Sequence, residues 1–373
     1  EENLLRLDDS ILKYISEGPK KWKSITIRHL MTHSSGIPDY TSEEFDYSKN
    51  YSEEDLVEMA SKLDIEFSAG KRWNYSNTGY VLLGVIMSRV AKKPYWEYLD
   101  EHIFTPAGMH SIRINTEKDI VPNKAKGYIP SIEGYQHASY VAPITNTTAD
   151  GSMLLSLEDL LAWNSTVKNK TILKRKSWNL ILSPMKLNSG NYYPYGFGWF
   201  IEKKNEKTVH QHGGTWQGFT TQIFRFIEDE LEVLLLTNAR SIAAYELPRK
   251  IAALINPSLK AQSLPTKPIV DEIPEITKLI REKLINISNG KLELDDFSFI
   301  RQTVFPRMKK ALISQIEGFD PPSRMELLSK EIVGDDTALQ YWVWYDDKRY
   351  RLMVSIGPNK GLTSMRLIAD NSQ

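Results

Sequence analysis

Tyr75-Ser76-Asn77, inside the stretch WNYSNTGYVLLG, sets a phenol, a hydroxyl and an amide side by side just before an apolar run. Polar groups gathered at one loop in this way could form part of a catalytic site. The tripeptide equally reads as a polar helix start, because Ser and Asn are good N-cap residues. A second group is His210-Gln211-His212-Gly213-Gly214. A histidine followed by two glycines on a strand edge lets a substrate approach the backbone, since no Cβ stands in the way. The competing reading is a glycine-rich hairpin turn.

Histidine spacing also admits a metal site. His29 and His33 are four apart and would share a helix face, and His210 and His212 would share a strand face. Against it, no Glu follows His29 as in H-E-x-x-H, no acidic cluster is nearby, and His33 reads as bonding the Ser34-Ser35-Gly36 turn. The absence of any G-x-S-x-G disfavours an α/β-hydrolase.

These groups need elements to hold them. Leu4, Leu5, Leu7, Ile11 and Leu12 recur at roughly helical spacing and predict a helix at or just before the start. Thr26 to Met31 reads as a short helix stopped by the Thr32–Gly36 turn cluster and Pro38. Ser52 with Asp55, and Ser156 with Asp159, are helix starts of the S-x-x-D type, and Val81 to Val90 reads as a helix. From Tyr195 on, GFGWFI, TTQIFRFI and LEVLLLTN read as antiparallel strands, and Ile242 to Ile255 as an amphipathic helix. The pattern is α+β, with one main domain over residues 1–256. Residues 257–273, with Pro257, Pro265 and Pro268 among polar residues, read as a linker. A small α+β module over 274–373 follows. It has a helix at Ile276–Ile287 and three strands at Leu339–Tyr345, Tyr350–Ile356 and Leu362–Ile368. Its Trp342 and Trp344 alternate with Tyr341, Val343 and Tyr345, which predicts two covered faces.

Composition sets outer bounds. The 47 basic and 47 acidic residues cancel, leaving no footprint for nucleic acid or an anionic membrane. No apolar run approaches the roughly 20 residues of a membrane span. With no cysteine there is no disulfide, thiol nucleophile or thiolate metal site. That absence fits an exported bacterial protein, periplasmic or extracellular, although many cytosolic proteins share it.

Two blocks, ITIRHLMTHSSGIPDY (25–40) and FSAGKRWNYSNTGYVLLG (67–84), resemble the penicillin-recognising serine hydrolases. The branch is that of class C β-lactamases, D-alanyl-D-alanine carboxypeptidases and esterases. Phe104–Met109, Ser156–Trp163, Tyr195–Trp199, His212–Phe219 and Val233–Asn238 resemble the same family in the same order, so the likeness covers about residues 4–256. It implies a β-lactamase/transpeptidase-like domain, an antiparallel sheet flanked by helices. The implied mechanism is a serine ester formed in a cleft lined by S-x-x-K, Y-x-N and K/H-x-G motifs.

Carried over, the resemblance makes Tyr75 the proton shuttle, with a pKa lowered by a neighbouring cation, and Asn77 the residue that orients substrate. His212 holds the lysine's place in the third motif, followed by Gly213 and Gly214 against the substrate. The Thr215 N–H is half of the oxyanion hole. No cofactor is implied, and the ligand is a small molecule or peptide. The second module is similar to cystatin-like or nuclear-transport-factor-like modules appended to such hydrolases.

Two departures stand out. Gly213 occupies a position that carries a hydroxyl in carboxylate-gripping members, which leaves esters, amides and D-amino-acid peptides as substrates. In the family the S-x-x-K serine precedes the turn matched by Leu7-Asp8-Asp9 by about two dozen residues, so it is expected upstream of Glu1. The strings Ser10–Lys13, Ser165–Lys168, Ser183–Lys186 and Ser288–Lys291 all lie elsewhere. The expectation is an N-terminally incomplete hydrolase, whose sheet edge is completed by the missing segment or by a partner chain. The alternative is an inactive binding protein of the same fold.

Overall fold

The computed structural model describes all residues except 41–44, 115–119, 143–147, 152, 205, 242, 261–263, 301–303 and 371–373. At the start of the chain the leucines do not form the expected helix. Asp9 instead gathers the backbone N–H of Arg6, the Lys13 ammonium and the Tyr14 hydroxyl. Ser10 caps only a single 3-10 turn, Ile11–Lys13. The local side-chain bonds of Asp9 compete with helix propagation, while Asp8 pairs with the distant Arg28.

Local capping signals were more reliable. Ser52 and Asp55 form a capping box for the helix Glu53–Lys62, and Ser156 and Asp159 form another for Leu157–Asn169. Thr26 caps Ile27–Met31, with His29 returning the bond. The helix Asn77–Ala91 starts four residues before the expected Val81. It lies in the core with Ile11, Trp22, Leu30 and Val57, contributing Leu82, Val85 and Ile86.

Four strands build the main sheet: β1 (Phe200–Lys204), β2 (Lys207–Trp216), β3 (Phe219–Phe226) and β4 (Leu231–Thr237). They are antiparallel in the order β4-β3-β2-β1. Gln217 and Gly218, at φ 44° and 84°, make the two-residue loop between β2 and β3. Two successive positive φ values define the type I′ turn that matches strand twist. Thus Gly213 and Gly214 lie within a strand, and the turn comes later. Pairing of β1 with β2 ends at Phe200 opposite Gln211, so His212 to Trp216 border no strand on that side among the described residues. Likewise, among the described residues, β4 pairs only with β3. The helix Ala243–Ile255 packs beside β4 and leaves Leu254 85% and Ile255 67% exposed.

By contacts the chain divides into Glu1–Ala261 and Gln262–Gln373. The second unit holds the helices Pro274–Ser288 and Phe305–Ile316. Its sheet is β5 (Arg324–Val333), β6 (Asp336–Tyr345), β7 (Lys348–Ile356) and β8 (Leu362–Ala369), antiparallel in that order. Tyr341, Val343 and Tyr345 point into a core with Ile280, Leu284, Ile287, Leu312 and Ile316. On the opposite face Trp342 donates its indole N–H to the Thr266 carbonyl at 3.0 Å. Arg351 stacks 4.2 Å from the same ring and donates to the Pro265 carbonyl. Residues 265 and 266, read in the sequence as linker, therefore cover this sheet.

Candidate active site

The helix Ile27–Met31 ends where the Thr32 hydroxyl donates back to the Arg28 carbonyl, and the next residue, His33, takes φ 53°. A non-glycine residue in the left-handed region costs about 1 kcal/mol or more. The turn sends the imidazole inward, where it is 2% exposed. His29 and His33 therefore do not share a helix face. The His33 ring reaches to residues distant in the sequence. Its Nδ1 accepts the Ser76 N–H at 3.1 Å, and its Nε2 lies 3.1 Å from the Tyr195 hydroxyl.

Two backbone bonds, Asn74 N–H to the His33 carbonyl and Gly70 N–H to the Ser34 carbonyl, staple the 70–76 loop to this corner. Tyr75 then stacks on His33 with ring centres 4.0 Å apart. Burial, then the nearby Asp39 and Asp150 carboxylates, push the Tyr75 phenol up to about 12. This is opposite to the lowering expected beside a cation, because burial, and after it the two carboxylates, disfavour the phenolate.

The start of the Asn77 helix answers whether Tyr75-Ser76-Asn77 is merely a cap. Ser76 occupies the N-cap position, yet its hydroxyl donates to the Pro38 carbonyl and does not cap. Asp39 accepts instead, from the Asn77 N–H and from Asn77 Nδ2, each at 3.0 Å. A carboxylate suits a helix N-terminus, where backbone N–H groups and the helix dipole favour negative charge. Beside it Asp150 accepts from the Tyr40 hydroxyl at 2.6 Å and the Thr148 hydroxyl at 2.5 Å. Burial raises the Asp150 carboxyl above its ordinary value. Asp39, Asp150 and Tyr195 were not singled out in the sequence, since each acts across dozens of intervening residues and carries no local spacing signal.

On β2, His212 Nε2 lies 3.2 Å from the Tyr195 hydroxyl, and its ring is 6.0 Å from that of Tyr75. Burial lowers the His212 pKa, partly opposed by hydrogen bonding with the Gly213 backbone. The Thr215 N–H can be aimed by counting back from the turn. In a type I′ hairpin the pair flanking the loop, Trp216 and Phe219, exchanges hydrogen bonds, and bonded and non-bonded pairs alternate from there. Thr215 and Gly213 are then non-bonded positions toward β3, so their N–H groups face the side where β1 has ended. The Thr215 hydroxyl lies 2.7 Å from that of Tyr245.

The two glycines differ. A Cβ on Gly213 would come within 2.2 Å of the Gln222 amide, whereas one on Gly214 would meet only Thr221 Oγ1 at 3.5 Å. The space beside Gly213 is thus taken by the buried Gln222 amide, which would have to shift for any side chain at that position.

His210 is 8% exposed, and burial with the neighbouring Arg225 lowers its pKa to about 4. Among the described residues no group of three or more His, Cys, Asp or Glu is placed to hold a metal ion. The S-x-x-K serines bond locally: Ser10 to Lys23, Ser165 with Asn169, Ser183 to Asn179, and Ser288 to Ile285. Ser183 and Lys186 do line a cavity of about 300 Å³ with Arg28, His29, Thr32 and Ser34, but Tyr75, Asn77 and His212 do not border it. No helix among the described residues is long and apolar enough to cross a membrane.

Penicillin-binding protein 4* of Bacillus subtilis (strain 168) is 29% identical over 263 residues, 66% of this chain and 58% of that protein. The chain therefore spans less than two thirds of that relative's length. Two solved structures share the fold. The octameric penicillin-binding protein homologue from Pyrococcus abyssi has a TM-score of 0.60 at 21% identity, over 100% of this chain and 82% of its own. D-amino acid amidase from Ochrobactrum anthropi SV3, complexed with L-phenylalanine amide, has a TM-score of 0.59 at 22% identity, over 69% of this chain and 79% of its own. The family model described as Beta-lactamase matches residues 1–255. The chain belongs to the beta-lactamase family.

Proposed function

We propose that the first unit is the body of a serine hydrolase that works through an acyl-enzyme, on an ester, an amide or a D-amino-acid peptide. The nucleophile is a serine from outside residues 1–373. Its hydroxyl adds to the substrate carbonyl, the leaving group departs with a proton, and water then cleaves the serine ester. Tyr75 handles the proton, Asn77 orients the acyl amide, and the Thr215 N–H stabilises the oxyanion. The observation that carries this reading is the close grouping of Tyr75 with His212, joined through His33 and Tyr195.

With a phenol raised to about 12, Tyr75 is neutral near pH 7 and can give a proton. To take one it needs a cation, and the family's S-x-x-K lysine would supply it together with the serine. The edge of β4, which no strand among the described residues covers, and the exposed end of the helix beside it suit an added strand, from a preceding segment or a partner chain. The proposed place of action is the periplasm or the outside of a bacterial cell, a reading that similarity to a penicillin-binding protein supports.

The raised Tyr75 also favours a second reading, a binding protein of this fold that has no turnover. Hydrolysis of p-nitrophenyl esters and D-amino-acid p-nitroanilides by the full-length gene product separates the two. Turnover that survives a strong chelator is expected. Absence of turnover on every such substrate would leave the binding protein.

A further inference from the structure

Ser76, His33, Tyr195 and His212 form a run of hydrogen bonds whose direction is set at one end. The Ser76 backbone N–H can only donate, and it donates to His33 Nδ1. A ring nitrogen that accepts carries no proton, so neutral His33 holds its proton on Nε2. That nitrogen faces the Tyr195 oxygen at 3.1 Å, which makes Tyr195 an acceptor there and turns its own proton elsewhere. Two atoms are candidates to receive it. One is the Tyr80 oxygen, whose hydroxyl donates to the Met31 carbonyl. The other is His212 Nε2 at 3.2 Å. A basic imidazole nitrogen accepts more strongly than a phenol oxygen, which favours His212 over Tyr80 as the acceptor.

We propose that His33 and Tyr195 are positioning residues that hold His212 as its neutral tautomer, with the proton on Nδ1 and the Nε2 lone pair committed to the Tyr195 hydroxyl. The position that carries a lysine in other members then presents a fixed, uncharged ring. The burial of His212 works in the same direction. Of the groups around this ring, Tyr75 and Tyr195 are titratable and Phe200 is not. The left-handed backbone of His33 and its 2% exposure fit the same role, since they hold the first imidazole in line between Ser76 and Tyr195. The part played in acyl transfer rests on the hydrolase reading above. The tautomer does not.

The test is a long-range 1H–15N correlation spectrum of the 15N-histidine-labelled full-length protein near neutral pH. His212 should show a protonated Nδ1 and a bare Nε2, and His33 the reverse. Tyr195→Phe keeps the ring and removes one hydroxyl, so the fold should survive, which near-ultraviolet circular dichroism checks. In that variant the His212 Nε2 signal should move and its titration midpoint should rise, because the lost donor had stabilised the neutral form. Turnover should fall roughly three- to tenfold in kcat with KM little changed, the worth of one neutral hydrogen bond. A wild-type His212 with its proton on Nε2, or one charged near neutral pH, would overturn the proposal even if Tyr195→Phe failed to fold. So would a folded Tyr195→Phe whose His212 signals and midpoint are unmoved. Correct tautomers in a protein without hydrolytic activity would sink the hydrolase reading and leave this one standing.

Discussion

The corner around Tyr75 and the outer face of β6 are both dense in aromatic rings, yet they use them differently. At the corner, the Tyr75 ring lies against those of His33 and His212, and His33, Tyr195 and His212 are linked polar atom to polar atom. Burial raises both phenols, and acidic neighbours push Tyr75 further in the same direction. On β6, Trp342 turns its N–H to the unit's own leading segment, while Arg349 and Arg351 cover its ring at 4.3 and 4.2 Å. The Trp342 and Arg351 tips end on that segment, and Arg349 ends on Asp370 of the same unit. Aromatic density alone is therefore no mark of function. What separates the two regions is whether the polar tips are linked toward a strand edge that no neighbouring strand fills.

The comparison breaks first at Tyr75. Tyr75→Phe in the full-length protein should slow acylation by about 10²- to 10⁴-fold, the range for a lost acid–base group. A p-nitrophenyl ester turned over within threefold of wild type would remove Tyr75 from the chemistry. For the β6 face the expected loss is of stability. Trp342→Ala should cost the second unit about 3–5 kcal/mol in denaturant unfolding, as large-to-small changes at buried aromatics do. A loss under 1 kcal/mol would mean that the covering segment packs weakly.

A smaller effect sharpens the reading of β2. Gly213→Ala should destabilise the first unit by about 1–3 kcal/mol through overpacking against Gln222. Gln222→Ala in the same chain should recover part of it. If Gly213→Ala unfolds like wild type but weakens substrate binding, the glycine serves substrate approach after all.

How legible these regions were in the sequence follows from distance along the chain. The capping boxes at Ser52 and Ser156 are written within four residues, and both were readable. The strands at residues 339–368 alternate clearly enough to be read. The neighbouring β5 runs Leu327-Leu328-Ser329-Lys330-Glu331 across a register shift at Leu327/Ser329, which breaks the period of two. The helix Phe305–Ile316 was also missed, since Pro306 and Lys309-Lys310 obscure its apolar stripe. At the corner, Tyr75 and His212 were found by the order of motifs. The Tyr195 link between them was not, because His33 and Tyr195 are 162 residues apart and only the fold brings them together.

The central claim, acyl transfer by a serine outside these 373 residues, is tested most directly by labelling with a serine-directed fluorophosphonate and mapping the adduct by mass spectrometry. Residues 1–373 alone should remain unlabelled. The full-length gene product should be labelled at one serine outside this numbering, and more slowly when Tyr75 is Phe. Stoichiometric labelling of residues 1–373 at Ser10, Ser165 or Ser183 would contradict the account and move the nucleophile into the chain itself.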